Sequence, residues 1–167
     1  MAYEVSRRSF LKGAAALAAA TAASGLLTAC GGGKNDAGVV VGDYKLYFED
    51  LKYGRDDSEK VYYITPTSQV KREDGKGIRS VKYSDAFRKA QIDKLELTLS
   101  NSTETFGPLS KKEKTYCKPR FTLTDETVYN NAVNNGTPVQ LTIVLSGKEA
   151  LFEVNVKTGS VKLVVVK

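Results

Sequence analysis

Histidine and tryptophan are absent from the 167 residues, Met1 is the only methionine, and the two cysteines are Cys30 and Cys117. Haem, copper, zinc and iron–sulfur centres take their ligands from His, Met or clustered Cys. No metal site and no cofactor are therefore expected. Without His the commonest general base is also missing, and no catalytic residue is assigned. Long apolar runs are lacking too. The uncharged stretch from Gly13 to Leu27 falls short of the ~20 residues that a bilayer span needs. Acidic side chains are the scarcer sign, 19 against 25 Lys and Arg, for a net charge of +6. That bias favours anionic head groups or cell-wall polymers and is too mild for a nucleic-acid partner.

What is present begins with an address. Arg7, Arg8 and Lys12 precede the uncharged stretch and small residues follow it, the order of a secretory signal. Ser6-Arg7-Arg8-Ser9-Phe10-Leu11-Lys12 resembles the twin-arginine (Tat) consensus, with Phe10 and Leu11 as its bulky apolar pair. Leu27-Thr28-Ala29-Cys30 resembles a lipobox. Together these resemblances imply a signal peptide over residues 1–29, and a lipoprotein exported by Tat. They also imply lipidation of Cys30, through a diacylglycerol thioether and further acyl chains such as palmitate, on the extracytoplasmic face of the cell membrane. One acyl chain holds a protein marginally and two hold it stably. With metal and redox cofactors excluded, Tat carriage further implies either a domain that folds before export or an organism that routes many proteins this way.

Residues 30–42 are expected to be the lipidated cysteine and a flexible tether, led by Gly31-Gly32-Gly33. Residues 43–167 are expected to form one domain. Tyr44, Leu46 and Phe48 alternate with Lys45 and Glu49, and Val61-Tyr62-Tyr63-Ile64 reads as a second strand. Asp74-Gly75-Lys76-Gly77 predicts a hairpin between 70–73 and 78–83. Leu95, Leu97 and Leu99 alternate, as do Val139, Leu141, Ile143 and Leu145. The clearest hairpin runs from Ala150 through Lys157-Thr158-Gly159 to Val165. Helices are expected only over 84–91 and 125–134, the second capped by Thr124. The class that follows is all-β, an antiparallel β-sandwich of immunoglobulin-like kind.

Chemistry is thinner. Ser68-Gln69-Val70-Lys71, Ser84-Asp85 and Lys157-Thr158-Gly159 resemble, in order, the motifs of serine β-lactamases and penicillin-binding proteins. That mechanism needs the serine at a helix N-terminus, whereas Ser68 follows Thr65-Pro66-Thr67 and leads into a strand-like segment. Asp56, Asp57 and Glu59 read as a solvated turn, with a weak Ca²⁺ site as the alternative. Tyr44, Tyr47, Tyr62 and Tyr63, with Lys45 among them, form the candidate binding face, since aromatics beside cations suit sugars, anionic polymer or a protein partner. The expected role is a membrane-anchored, non-enzymatic interaction module. Its partners would be the membrane, through Cys30, and an envelope protein or anionic cell-wall polymer. An accessory subunit of an exported redox complex and a small hydrolase are the alternatives.

Overall fold

The computed structural model describes residues 3–5, 38–74, 76 and 79–167. Arg7, Arg8, Phe10, Leu11 and Cys30 lie outside the described residues. The elements run β1 (Tyr3–Val5), β2 (Val39–Val41), β3 (Tyr44–Asp56), β4 (Val61–Arg72), β5 (Arg79–Lys82) and α1 (Tyr83–Ala86). Then come β6 (Phe87–Ile92), β7 (Leu95–Glu96), β8 (Thr98–Leu99), β9 (Thr105–Leu109), β10 (Thr115–Cys117) and β11 (Phe121–Leu123). After α2 (Glu126–Asn130) and a π-helical turn (Asn131–Asn135), the chain closes with β12 (Val139–Leu145), β13 (Lys148–Asn155) and β14 (Ser160–Val166).

The structure is all-β and its strand pairs are antiparallel. One sheet is built on the long β3–β4 hairpin. β2 and β1 share the outer edge of β3, β10 and β11 pair in turn with β4, and β8 follows β11. The second sheet has the order β14-β13-β12-β6-β7, and β5 with β9 makes a small third one. The partition is thus two terminal meanders bridged by the middle of the chain, rather than the ABED and CFG sheets of an immunoglobulin domain.

Alternation explains how the two large sheets meet. Tyr44, Leu46, Leu51, Ile64 and Val70 turn inward from the first sheet, and Leu141, Ile143, Phe152 and Val154 from the second. Phe48 meets Phe152 edge-on with ring centroids 5.1 Å apart, and Phe87 meets Phe121 at 6.3 Å. These contacts also fix which edges stack. The β2 edge lies against β13, and β8 lies against β6. At one end the β2–β3 turn touches the end of β12. Gly42 there has φ +58°, and a Cβ on it would come 2.7 Å from the Leu145 carbonyl oxygen. Only glycine suits both the dihedral and the approach.

Four expectations are corrected. β2 lies inside the stretch assigned to the tether, because Val39 and Val41 bury themselves against the core. Residues 87–92 are a strand, β6, held between β12 and β7. Among the described residues, the strands expected to pair about Asp74-Gly75-Lys76-Gly77 do not pair with each other. β4 ends at Arg72, whose guanidinium pairs with Asp74, and β5 finds its partner in the distant β9. Finally, the helix at 126 is capped by Asp125, whose carboxylate accepts from the Val128 N–H at 3.0 Å, and not by Thr124.

Candidate functional site

The outward face of the first sheet gathers the chemistry. Because side chains alternate along a strand, Lys45 and Tyr47 of β3 point away from the core that holds Tyr44 and Leu46. Lys45 stands opposite Lys71 of β4 and Tyr47 opposite Gln69. Gln69 in turn stands opposite Tyr116 of β10. Lys114, just before β10, and Lys118, just after it, keep the outward parity of Tyr116. The result is a row of lysines, Lys45, Lys71 and Lys114, beside a row made of Tyr47, Gln69 and Tyr116. Two residues along a strand separate the rows by about 7 Å.

Cations sit over the rings. The Lys114 ammonium lies 3.8 Å from the Tyr47 centroid, and Lys45 approaches the same ring at 5.4 Å. Lys118 lies 5.7 Å from the ring of Tyr116, which is 50% exposed. At the far end of this face the Arg120 guanidinium covers Tyr63 at 5.3 Å. Arg120 is also spoken for by acids, at 2.7 Å from Asp56 and 2.7 Å from Glu59.

Of the five residues expected to form the binding face, Tyr47, Tyr63 and Lys45 share this outward surface. Tyr44 and Tyr62 turn to the core side. Tyr44 is 5% exposed beneath the Arg72 guanidinium. Tyr62 stacks on Tyr129 with centroids 4.5 Å apart, and desolvation, followed by Glu126, raises its phenol above the ordinary value. Lys114, Tyr116 and Lys118 were not among the expected residues. Their spacing at i, i+2 and i+4 on a strand was the available signal.

The acidic turn is a clasp. One Asp56 oxygen accepts from the Ser58 N–H, the Ser58 hydroxyl and the Glu59 N–H, and the other takes Arg120. This ties the β3–β4 turn to the start of β11. The Ser58 hydroxyl, then the Glu59 N–H, hold the Asp56 carboxyl below its ordinary 3.8. The Arg72 hydrogen bond does the same for Asp74. Both carboxyls bind the fold best when charged. Their stabilisation is complete above the unfolded value of 3.8 and disappears as pH falls through the lowered folded values. The urea midpoint is therefore expected to hold steady from neutrality to about pH 5 and to fall below about pH 4. In Asp74→Asn, unfolding measured across the same series should fall less steeply. An equal slope would remove Asp74 from the account.

Ser68 and Cys117 face each other across β4 and β10, their Oγ and Sγ 3.3 Å apart and both fully buried. Burial pushes the Cys117 thiol up to about 12. Ser68 lies mid-strand, and Lys71, three residues on, points to the opposite face. A lysine so placed cannot take the proton of that serine. Ser84 is exposed on α1, at the lip of an open cleft of about 460 Å³ between β6 and β8. Phe87, Leu97 and Phe121 floor the cleft, and Arg88, Lys89 and Glu96 stand at its lip.

Residues 4–24 match the family of TAT (twin-arginine translocation) pathway signal sequences. The protein is accordingly exported across the cytoplasmic membrane. No curated protein and no solved structure matches the chain. Among the described residues no helix is long and apolar enough to cross a membrane. Nor do three His, Cys, Asp or Glu side chains gather there as a metal-ligand set.

Proposed function

We propose that this exported chain is a lipoprotein held by Cys30, and that its β-sandwich is a non-enzymatic module binding an anionic polymer of the cell envelope. The observation that carries the binding role is the Tyr47 ring with Lys114 and Lys45 over it, in one row across the sheet with the half-exposed Tyr116. Tyrosine rings give sugar units a flat apolar seat, and the lysine row beside them gives phosphate or carboxylate groups their counter-charges. The separation of Ser68 from Lys71 supports a binding role over hydrolysis. Lipidation rests on the order Leu27-Thr28-Ala29-Cys30 directly after the export signal.

The test is co-sedimentation of the mature protein with anionic wall and envelope fractions. Binding is expected to weaken as salt rises, because exposed charges are screened. The Lys114→Glu, Lys118→Glu double variant should bind at least about tenfold more weakly, at about 1 kcal/mol for each charge near an anionic surface. Unchanged binding by that variant, or none to any anionic fraction at low salt, would reject the proposal. Mass spectrometry of the mature N-terminus tests the anchor separately. An unacylated product starting elsewhere than Cys30 would refute it.

A further inference from the structure

Among the described residues, four of the five exposed large aliphatic side chains gather on one side of the sandwich, and the fifth, Leu95, lies on the far edge. Val164, Val165 and Val166 of β14 are 36%, 38% and 42% exposed, and Val40 of β2 is 53% exposed. β14 is the outermost strand of its sheet and β2 lies along the outer edge of the other. Because β2 packs against β13, the neighbour of β14, both strands border the same side of the molecule. They also reach the same end. The β2–β3 turn abuts Leu145 and Ser146 at the β12–β13 turn, and β14 finishes beside it, with Lys167 paired to Glu149.

This is the side on which the chain from Cys30 enters the fold. Residues 30–38 precede β2, and nine residues reach at most about 30 Å when fully extended. Four strand spacings, about 19 Å, separate the β2 and β14 side from the opposite edge at β7 and β8. A tether that short favours the valine side toward the bilayer, because bringing the far edge down would use roughly two thirds of its full reach. Lys148, Lys162 and Lys167 border the valines of β14. Lys162 and Lys167 meet Glu153 and Glu149 only at 3.9 Å, loose exposed pairs whose ammonium groups can turn to lipid phosphates.

We propose that the β2 and β14 edge docks on an anionic phospholipid bilayer, with Val164, Val165 and Val166 entering the head-group region and the flanking lysines meeting lipid phosphates. The inference rests on the Cys30 anchor and adds to it an orientation. The sandwich stands edge-on, so its Lys and Tyr face rises from the membrane and remains open to the polymer.

The absence of tryptophan makes a clean test. Val165→Trp, or Val166→Trp should the first misfold, introduces the sole indole on the docking edge, and Leu95→Trp introduces it on the far edge. Each lipidated mature protein is reconstituted into phosphatidylcholine vesicles containing phosphatidylglycerol, with bromine on the acyl chains of a fraction of the lipid. Emission from Val165→Trp should be quenched several-fold more than that from Leu95→Trp, and it should lie at shorter wavelength. Equal quenching of the two in chains that float with the vesicles overturns the docking while leaving the anchor intact. A chain that fails to float overturns the anchor, and the docking with it. Val165→Trp quenching that disappears on dilution in the membrane marks pairing of two copies through β14 and also overturns docking.

Discussion

Phe152→Ala is expected to cost about 3–5 kcal/mol, a large share of the ~5–15 kcal/mol by which a domain is stable. Phe152 is fully buried on β13, opposite Leu141 of β12 and Leu163 of β14. Its ring reaches across the layer to Phe48. Truncation removes apolar area from the core and leaves a hole between two sheets that hydrogen bonding within each sheet prevents from closing. Loss of the edge-to-face pair adds roughly 0.5–1.5 kcal/mol to the area effect. Urea unfolding at unchanged slope measures it. Phe48→Ala combined with Phe152→Ala should cost less than the two singles added, since each removes the same contact. A loss below about 1 kcal/mol for Phe152→Ala would mean that the sheets are not joined through this ring. Val164→Ala, on the exposed edge, should stay within about 0.5 kcal/mol.

The second large effect is on export. Replacing both Arg7 and Arg8 with Lys is expected to strand the protein in the cytoplasm as precursor. The charge is preserved, but the planar guanidinium fork is lost, and a compact ammonium does not replace it. Topology explains why a route for folded cargo fits this chain. The first sheet closes only when Phe121–Leu123 reach β4, and the second only when β14 lies on β13. Both therefore depend on residues made late. Cell fractionation with an antibody to the domain is the measurement, and Arg88→Lys, on β6, serves as the control. Full export of the Arg7→Lys, Arg8→Lys variant would mean that a different machinery handles the leader.

How much of this was visible in the residues depended on how regularly each strand alternates. β12, β13 and the start of β14 alternate without interruption beside the core, and their positions could be read directly. β6 could not. Phe87 pairs with Ile143 and Lys89 with Thr142, so Arg88 is an extra residue in a bulge. Phe87 and Ala90 then both point inward at a spacing of three, which imitates a helix. The length of β3 was hidden the same way, by the irregularity between Phe48 and Asp50. Pairings between distant segments, such as β5 with β9, leave no local trace.

The candidate face was legible in part for a related reason. Tyr44 and Tyr47 are close in the chain, yet odd and even positions fall on opposite sides of a strand, and membership of the outward face follows parity. Tyr62 and Tyr63 divide likewise. Lys114, Tyr116 and Lys118 obey the same parity on β10. Nothing in the sequence, however, marks β10 as the neighbour of β4.

The burial of Cys117 has one more consequence. Its sulfur is sealed under the first sheet against Ser68, and its proton is held far above neutrality. A thiol reagent offered to the folded chain is therefore expected to leave position 117 unlabelled. On the proposal that Cys30 takes the lipid, labelling of the folded chain would then report on that one modification.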